Sequence, residues 1–555
     1  MSDSFDPSAE GLYFVPLGGA GEIGMNLNLY AVDGEWLIVD LGITFADERL
    51  PGVDIVLPDP SFIVEHRERL RGIVLTHAHE DHLGAVPYLW PRLGCPVFAT
   101  PFAAQVLRAK LAGEEMGEDV PINEVPLGGG LELGPFRLRF LGVTHSIPES
   151  NALVIDTPHG RVLHTGDWKI DPEPLVGGEI ERAEFSRRGD EGVLALVCDS
   201  TNVFRDGVSG SEAAVRASLE QLLGECAGRV FVTLFASNIA RVSSILAAAR
   251  SQGRAVVLLG RALGRYIDAA RATGYMDADD RFITEEEAGD RAGGDLVYLC
   301  TGCQGEPNAA LARIARGDYR NLTIGRGDVV IFSSKIIPGN ERAIDRLHNR
   351  LAVLGAKVIT ERDHFVHVSG HPAREELKQM YGWTRPTIAV PVHGEERHLL
   401  EHARLAESLG VPEVIVVRNG EVVRLESGRA EIVGHVATGR LALDGKALVD
   451  TEGTAIRERR RLMYDGIVLV TLVLDRHGKL LTEPRLSAPG LANGEDGGEI
   501  VDQTIAAIID AIGDLSKTER RDDAAVHEAA RLAVRRAFRA GRGKRPLIEI
   551  QVVRP

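Results

Sequence analysis

Between residues 11 and about 200 the chain alternates short apolar runs with turn-forming residues. WLIVDLG, GIVLTH, RLRFLGVTH, RVLHTGD and VLALVCDS share one further property: each ends in or next to a polar side chain. That pattern predicts buried strands carrying their polar groups at the C-terminal tips. From about Ser211 the texture changes. Amphipathic stretches such as SEAAVRASLEQLLGE and NIARVSSILAAARSQG alternate with RVFVTLF, AVVLLG and DVVIFSS, which predicts βα units on a parallel sheet. After about Arg374 the tip pattern returns in TIAVPVHGEE, followed by the helix RHLLEHARLAESLG and the strand EVIVV. The simplest arrangement is a first domain interrupted by an inserted one and then completed.

Past about Leu441 come a charged stretch with RERRR (Arg457–Arg461), the strand IVLVTLVL, a Gly/Asp/Glu loop LANGEDGGE, two helices and a terminal strand LIEIQVV. This predicts a separate small α/β domain. Its last helix, in RLAVRRAFRAGRGKRP, is strongly basic, which suits an RNA contact, a solvated face or an oligomer contact. The expected division is 1–205 (first part of the leading domain), 206–365 (insert), 366–440 (completion), 441–460 (linker) and 461–555 (C-terminal domain).

A length of 555 residues exceeds what one core supports, in keeping with several domains, and 44% hydrophobic with 26% charged residues is an ordinary globular composition. The acidic start MSDSFDPSAEGLYFVP has no apolar core for a signal peptide, and the longest mostly apolar run, Ile467–Leu474, is far too short for a membrane span. The expectation is a soluble, cytoplasmic protein with no membrane partner. Five cysteines at this length imply no disulfide framework, and Cys300-Thr-Gly-Cys303 supplies only two of the four ligands a zinc site needs. A net charge of −17 weighs against non-specific nucleic-acid binding, yet it leaves room for a local positive site built on bound metal.

The chemistry concentrates in LTHAHEDHLG, where His77, His79, Asp81 and His82 form the pattern HxHxDH at a strand tip. One ion does not easily use all four side chains; two neighbouring ions can. Other strand tips supply the remainder: His145, Asp167 and His393. Strand tips share one edge of a sheet, so His77, His79 and His145 are expected to hold one metal and Asp81, His82 and His393 the other, bridged by Asp167. Imidazole with carboxylate suits Zn²⁺ best, with Mn²⁺ as the alternative, giving two ions per subunit. Asp40 and His164 are candidate outer groups that orient ligands. Such a centre suits ester, lactam or phosphodiester hydrolysis, and the cluster alone does not choose.

The second half narrows the choice. A phosphodiester leaves as an alkoxide, so a positioned imidazolium helps to expel it. His371, in HVSGH, is the candidate acid, supported by Asp199 in DSTN; Asp81 completes the catalytic set. Ser237, Asn238, Ser369 and Gly370 are candidate donors to substrate phosphates, although Ser237 and Asn238 also suit the N-cap of the helix that follows.

These residues resemble the metallo-β-lactamase fold with a beta-CASP insertion. Asp199 in DSTN, His371 in HVSGH and His393 in PVHGE match that family's three later motifs, and a His at the third is the RNA-processing variant. LGGAGEIGMN, HTGDWK, FASN, CTGCQGEP, SSKIIPGNE, HVSGH and PVHGE together are similar to the ribonuclease J family over essentially the whole chain. The resemblance implies an αββα metallo-β-lactamase sandwich interrupted by a beta-CASP α/β domain, plus a small C-terminal α/β domain. It implies a dizinc ribonuclease acting 5′→3′ from a 5′-monophosphate on single-stranded RNA, with endonuclease activity, in mRNA decay and rRNA maturation. It further implies a homodimer or homotetramer assembled through the C-terminal domain, and association with other RNA-decay proteins. Carried over by position, Ser237, Asn238 and the run His367, Val368, Ser369, Gly370, His371 bind RNA phosphate. Two positions depart from the pattern: Ala240, where a His is common, and Cys303, where a Ser is common. The alternative function is a small-molecule ester or lactam hydrolase on the same metal core; an inserted domain with its own acid argues against it.

Overall fold

The computed structural model describes residues 5–114, 119–277, 279–491 and 495–555. The chain forms two compact units, one of Met1–Phe45 with Val56–Arg440 and one of Ala46–Ile55 with Leu441–Pro555.

Two large sheets face each other in the first unit. The seven-stranded sheet runs in the order Gly130–Leu133, Phe136–Gly142, Asn151–Thr157, Gly160–His164, Ala195–Asp199, Ile388–Val392, Glu413–Val414. An eight-stranded sheet includes Leu12–Gly18, Leu27–Val32, Glu35–Val39 and Leu70–Val74. Alternation along one strand shows how sequence builds the layers. Ala195 and Val197 point into the core shared with Phe14, Tyr30 and Val39 of the facing sheet. Leu196 and Cys198 point the other way, against Phe185, Leu377, Met380 and Leu405 of the covering helices. A strand buried on both faces reads as a continuous apolar run, as VLALVCDS does.

The chain leaves this frame after Ala195–Asp199 and returns in the adjacent parallel strand Ile388–Val392. Between them lies a five-stranded, wholly parallel sheet in the order Ala255–Leu259, Leu296–Cys300, Val230–Thr233, Val329–Phe332, Lys357–Ile359. This is the βα layout that the alternation after Ser211 predicts. Its core includes Phe231 stacked on Tyr298 at 4.7 Å between ring centroids. Cys300 and Cys303 are free and buried there, and burial pushes both thiols up. They join no metal-ligating group among the described residues.

In the second unit, Arg485–Ser487, Ile467–Val473 and Leu547–Val553 form a three-stranded sheet packed on the helices Glu495–Gly513 and Asp523–Arg542. Two features differ from the sequence reading. Residues 441–460, expected as a linker, hold the strands Arg440–Asp444 and Ala447–Asp450 and begin the helix Thr454–Asp465. Buried Ala442 and Ile456 hide among charges that pair locally, Arg459 with Asp444 at 2.5 Å and Arg460 with Glu452 at 3.2 Å. Within LANGEDGGE, expected as a loop, helix begins at Glu495, and residues 492–494 lie outside the described residues. Among the described residues no helix is long and apolar enough to cross a membrane.

Candidate metal centre

Leu70–Val74 ends just before the HxHxDH motif. His77 and His79 lie on extended chain, and a short helix, Glu80–Leu83, then turns Asp81 and His82 towards a neighbouring point. Residues 41–43 hold that turn through Leu41 N–H to the His82 carbonyl (2.6 Å) and Ile43 N–H to the Glu80 carbonyl (3.0 Å). A Cβ on Gly42 would sit 1.7 Å from the Asp81 carbonyl oxygen, so only glycine fits.

The tips converge as the strand rule predicts. His77 Nε2 and His145 Nε2 each lie 3.0 Å from His79 Nδ1, and Asp167 Oδ2 lies 3.9 Å and 3.8 Å from the first two. These spacings bracket the about 3.4 Å expected between ligand atoms around a tetrahedral ion with 2.1 Å bonds. A second group forms beside it. Asp167 Oδ2 is 3.2 Å from His82 Nε2, and Asp81 Oδ2 is 3.6 Å from His82 Nε2 and 3.2 Å from His393 Nε2. A third set joins Asp167 with Asp199, His371 and His393. Asp167 belongs to all three, and its Oδ1 is buried without a hydrogen-bond partner. A buried carboxylate oxygen without a donor suits a cation. The donor set fits the metal-binding reading.

Electrostatics divides the histidines. Burial pushes His77 and His145 well below the usual imidazole range and His79 down to about 4, so these rings stay neutral. Burial also opposes charge on His82 and His393, but carboxylates, Asp167 foremost, outweigh it. His82 is raised well above its usual value and His393 up to about 10.

Each ring nitrogen turned away from the cluster has its own partner. Thr76 Oγ1 is 3.0 Å from His77 Nδ1, and Ser237 Oγ is 3.0 Å from His79 Nε2. The Gly370 carbonyl accepts from His145 Nδ1 (2.5 Å), Asp40 Oδ2 from His82 Nδ1 (2.7 Å), and Thr201 Oγ1 is 2.8 Å from His393 Nδ1. A Cβ on Gly370 would meet the His145 ring at 2.7 Å. Asp40 and His393 are non-glycine residues with positive φ, +65° and +53°, the strained backbone that gathers at working sites. Asp40 thus sits where a ligand-orienting group is expected. His164 does not: its Nδ1 is 2.9 Å from Tyr30 Oη in the core between the sheets.

His371 stands at the edge of the cluster. Its Nδ1 lies 2.8 Å from Asp199 Oδ2 and 3.8 Å from Asp167 Oδ2. Burial works against its charged form, yet the Asp199 and Asp167 carboxylates prevail and raise its pKa. The loop is braced by groups that the sequence reading missed. Asn202 Nδ2 donates to Ser369 Oγ (2.6 Å) and to the His371 carbonyl (3.0 Å), and Ser209 Oγ lies 2.6 Å from that carbonyl. Fully buried Glu376 accepts from the N–H groups of Ile170, Ser209 and Ala373.

The phosphate-binding candidates separate. The Asn238 side chain is the N-cap of the helix Ile239–Ser251, its Oδ1 accepting from the Arg241 N–H at 2.9 Å while its Nδ2 donates to Glu212 Oε1 at 3.4 Å. Val368 is core, packed near Gly210. His367 has a buried, unpartnered Nδ1; burial first, then Arg241, Lys335, Lys169 and Arg205, push its pKa well down. Ala240 is a buried small residue in the first helical turn and brings no polar group to the site. Thr76, next to HxHxDH, and Thr201, inside DSTN, are further anchors absent from the residues the sequence singled out, and Gly370, expected as a phosphate donor, anchors His145 through its carbonyl.

Four family models match along the chain. They are the metallo-beta-lactamase superfamily over residues 25–231, the ribonuclease J beta-CASP domain over 227–351, the Zn-dependent metallo-hydrolase RNA specificity domain over 355–417, and the ribonuclease J C-terminal domain over 454–554. Ribonuclease J of Sinorhizobium meliloti is 46% identical over 550 residues, covering 98% of each chain. Ribonuclease J 1 of Streptococcus pyogenes is 34% identical, covering 100% of this chain and 99% of its own. Ribonuclease J of Thermus thermophilus is 38% identical over 82% of this chain and 81% of its own. A solved protein of unknown function from Enterococcus faecalis shares the fold, with a TM-score of 0.53 at 15% identity over 75% of this chain and all of its own.

Proposed function

Because the chain belongs to the ribonuclease J family and is a metal-dependent ribonuclease, we propose that it degrades single-stranded RNA 5′→3′ from a 5′-monophosphate and also cleaves internally. Two Zn²⁺ ions serve it, or Mn²⁺ in their place. His77, His79, His145 and Asp167 would hold one ion, and Asp81, His82, His393 and the same Asp167 the other. Bound there, the ions supply Lewis acidity to the phosphoryl oxygens and lower the pKa of attacking water.

The protein's own groups do the rest. Asp199 fixes His371 through Nδ1, which leaves a proton at Nε2 for the departing 3′ oxygen. Ser237 and Ser369, beside His79 and in the loop before His371, would offer their hydroxyls to the substrate phosphate. The observation that carries this reading is the placement of His371. The HVSGH imidazole lies 2.8 Å from Asp199 and 3.8 Å from Asp167, which supports its use as the acid that protonates a poor leaving group. A thioester hydrolase, which expels a stable thiolate, has no need of that acid.

Residues 461–555 would serve as an assembly domain giving a dimer or tetramer. The setting is cytoplasmic mRNA decay and rRNA maturation alongside other decay proteins.

The test is turnover of a 5′-monophosphorylated, 3′-labelled RNA by metal-replete protein. Wild type is expected to release mononucleotides, His371→Ala to lose about 10²–10⁴-fold in kcat, and His79→Ala to lose more. Release of no nucleotide alongside hydrolysis of a lactam or thioester overturns the reading. Full activity of either variant overturns the role given to that residue.

A further inference from the structure

Among the described residues, Ser237 is the one side chain of the inserted segment that meets a ring nitrogen of the cluster. It lies between the strand Val230–Thr233 and the helix Ile239–Ser251, one residue before the N-cap. Its Oγ is 3.0 Å from His79 Nε2, a contact that spans 158 residues of sequence. On the other side of that ring, Nδ1 faces His77 and His145 across 3.0 Å. For Nδ1 to offer its lone pair to an ion, the ring proton must sit on Nε2. Ser237 Oγ is then the acceptor, and its own hydroxyl proton remains free to point elsewhere.

A second tether runs beside the first. Tyr266, buried on the helix Arg261–Ala272, donates through Oη to the Ala78 carbonyl at 3.2 Å. Two successive residues of the HxHxDH loop are therefore held from the insert.

Resting on the ligand assignment above, we propose that Ser237 is a positioning residue for the His77–His79–His145–Asp167 ion, so that seating of the insert and retention of that ion are linked. The hydroxyl fixes both the tautomer and the ring plane of His79. A ring free to rotate or to carry its proton on Nδ1 binds metal more weakly. Linkage is reciprocal: what the insert does for the ion, the ion does for the insert. The opposite group has no such dependence, because its anchors, Asp40 and Thr201, belong to the strand tips themselves.

The experiment uses full-length protein stripped of metal and titrated with Zn²⁺ against a chromophoric chelator, together with amide hydrogen exchange. Ser237→Ala is expected to weaken one of two ions by about 10–100-fold and leave the other unchanged. Ser237→Thr, which keeps the hydroxyl, is expected to bind both as wild type does. In wild type, Zn²⁺ should slow exchange across residues 236–242 and 261–272; in Ser237→Ala that response should shrink. Wild-type affinity of Ser237→Ala for both ions overturns the proposal. So does an equal loss in the alanine and threonine variants, which would place the effect in packing rather than in the hydroxyl. If the alanine variant fails to fold, Ser237→Cys takes its place, since a thiol keeps the shape but accepts only weakly; wild-type affinity of that variant for both ions overturns the proposal. Binding of two ions with no RNA cleavage would sink the ribonuclease reading and leave this linkage standing.

Discussion

The two halves of the metal centre are built on different plans. The His77–His79–His145 half consists of rings kept neutral by burial and anchored by neutral partners, the Thr76 and Ser237 hydroxyls and the Gly370 carbonyl. Two of those three anchors arrive from the insert and from the loop that returns from it. The Asp81–His82–His393 half is dense in charge and fixed by the sheet frame. Asp40 grips His82 while accepting the Thr76 N–H at 2.7 Å, and strained backbone at Asp40 and His393 aims both side chains. One half is preformed. The other is completed by segments that must dock.

Asp167 is where the comparison can be broken outright, because both halves use it. Asp167→Asn keeps the shape and removes the charge that would offset the two proposed cations. Metal content by atomic absorption should fall at both sites, and RNA turnover should drop well beyond the roughly 10–100-fold that loss of an outer partner costs. Retention of one ion at full affinity would show that the halves are independent and that Asp167 does not bridge.

Asp40→Asn sharpens the contrast from the preformed side. Asparagine can still accept from the Thr76 N–H, but it no longer offers a charged acceptor to His82. Affinity for one ion should fall by about 10–100-fold, as in Ser237→Ala. The hydrogen-exchange response of the insert to Zn²⁺ should nevertheless survive, because the affected half is not the one the insert holds. Loss of that response in Asp40→Asn would erase the distinction between the halves.

The same contrast explains what could be read from sequence. Every ligand-type side chain was expected from the sequence, because imidazole and carboxylate are metal-ligand chemistry and each stands at or just past the end of an apolar run. The inserted α/β layer was legible from the change in periodicity after Ser211. The anchors were not. Serine, threonine and glycine serve in too many caps and turns to signal a role, and the Ser237–His79 and Gly370–His145 contacts join positions 158 and 225 residues apart. Asn238 takes the helix-cap role that the sequence offered beside phosphate binding, with its Oδ1 on the Arg241 N–H and its Nδ2 on Glu212. The linker expected at 441–460 misleads because its charges mask apolar positions that only tertiary pairing exposes as structure.

His164 sets the lower end of the scale. It too is a histidine at a strand tip, three residues before Asp167, and by position alone it belongs with the ligand-orienting groups. Its hydrogen bond goes instead to Tyr30, a fully buried residue of the facing sheet, and burial holds its ring neutral near a pKa of about 4. Tyr30→Phe removes one hydroxyl and leaves one imidazole nitrogen without a partner in the core. The cost should be about 1–3 kcal/mol of folding stability, the desolvation penalty of one neutral polar group. Chemical denaturation at saturating Zn²⁺ measures it. Both metal affinities and kcat should stay at wild-type values, because neither half of the centre is anchored through this pair. A tenfold loss of metal affinity in Tyr30→Phe would instead place His164 among the groups that orient the ligands, and the frame-built half would then reach one layer deeper than its contacts show.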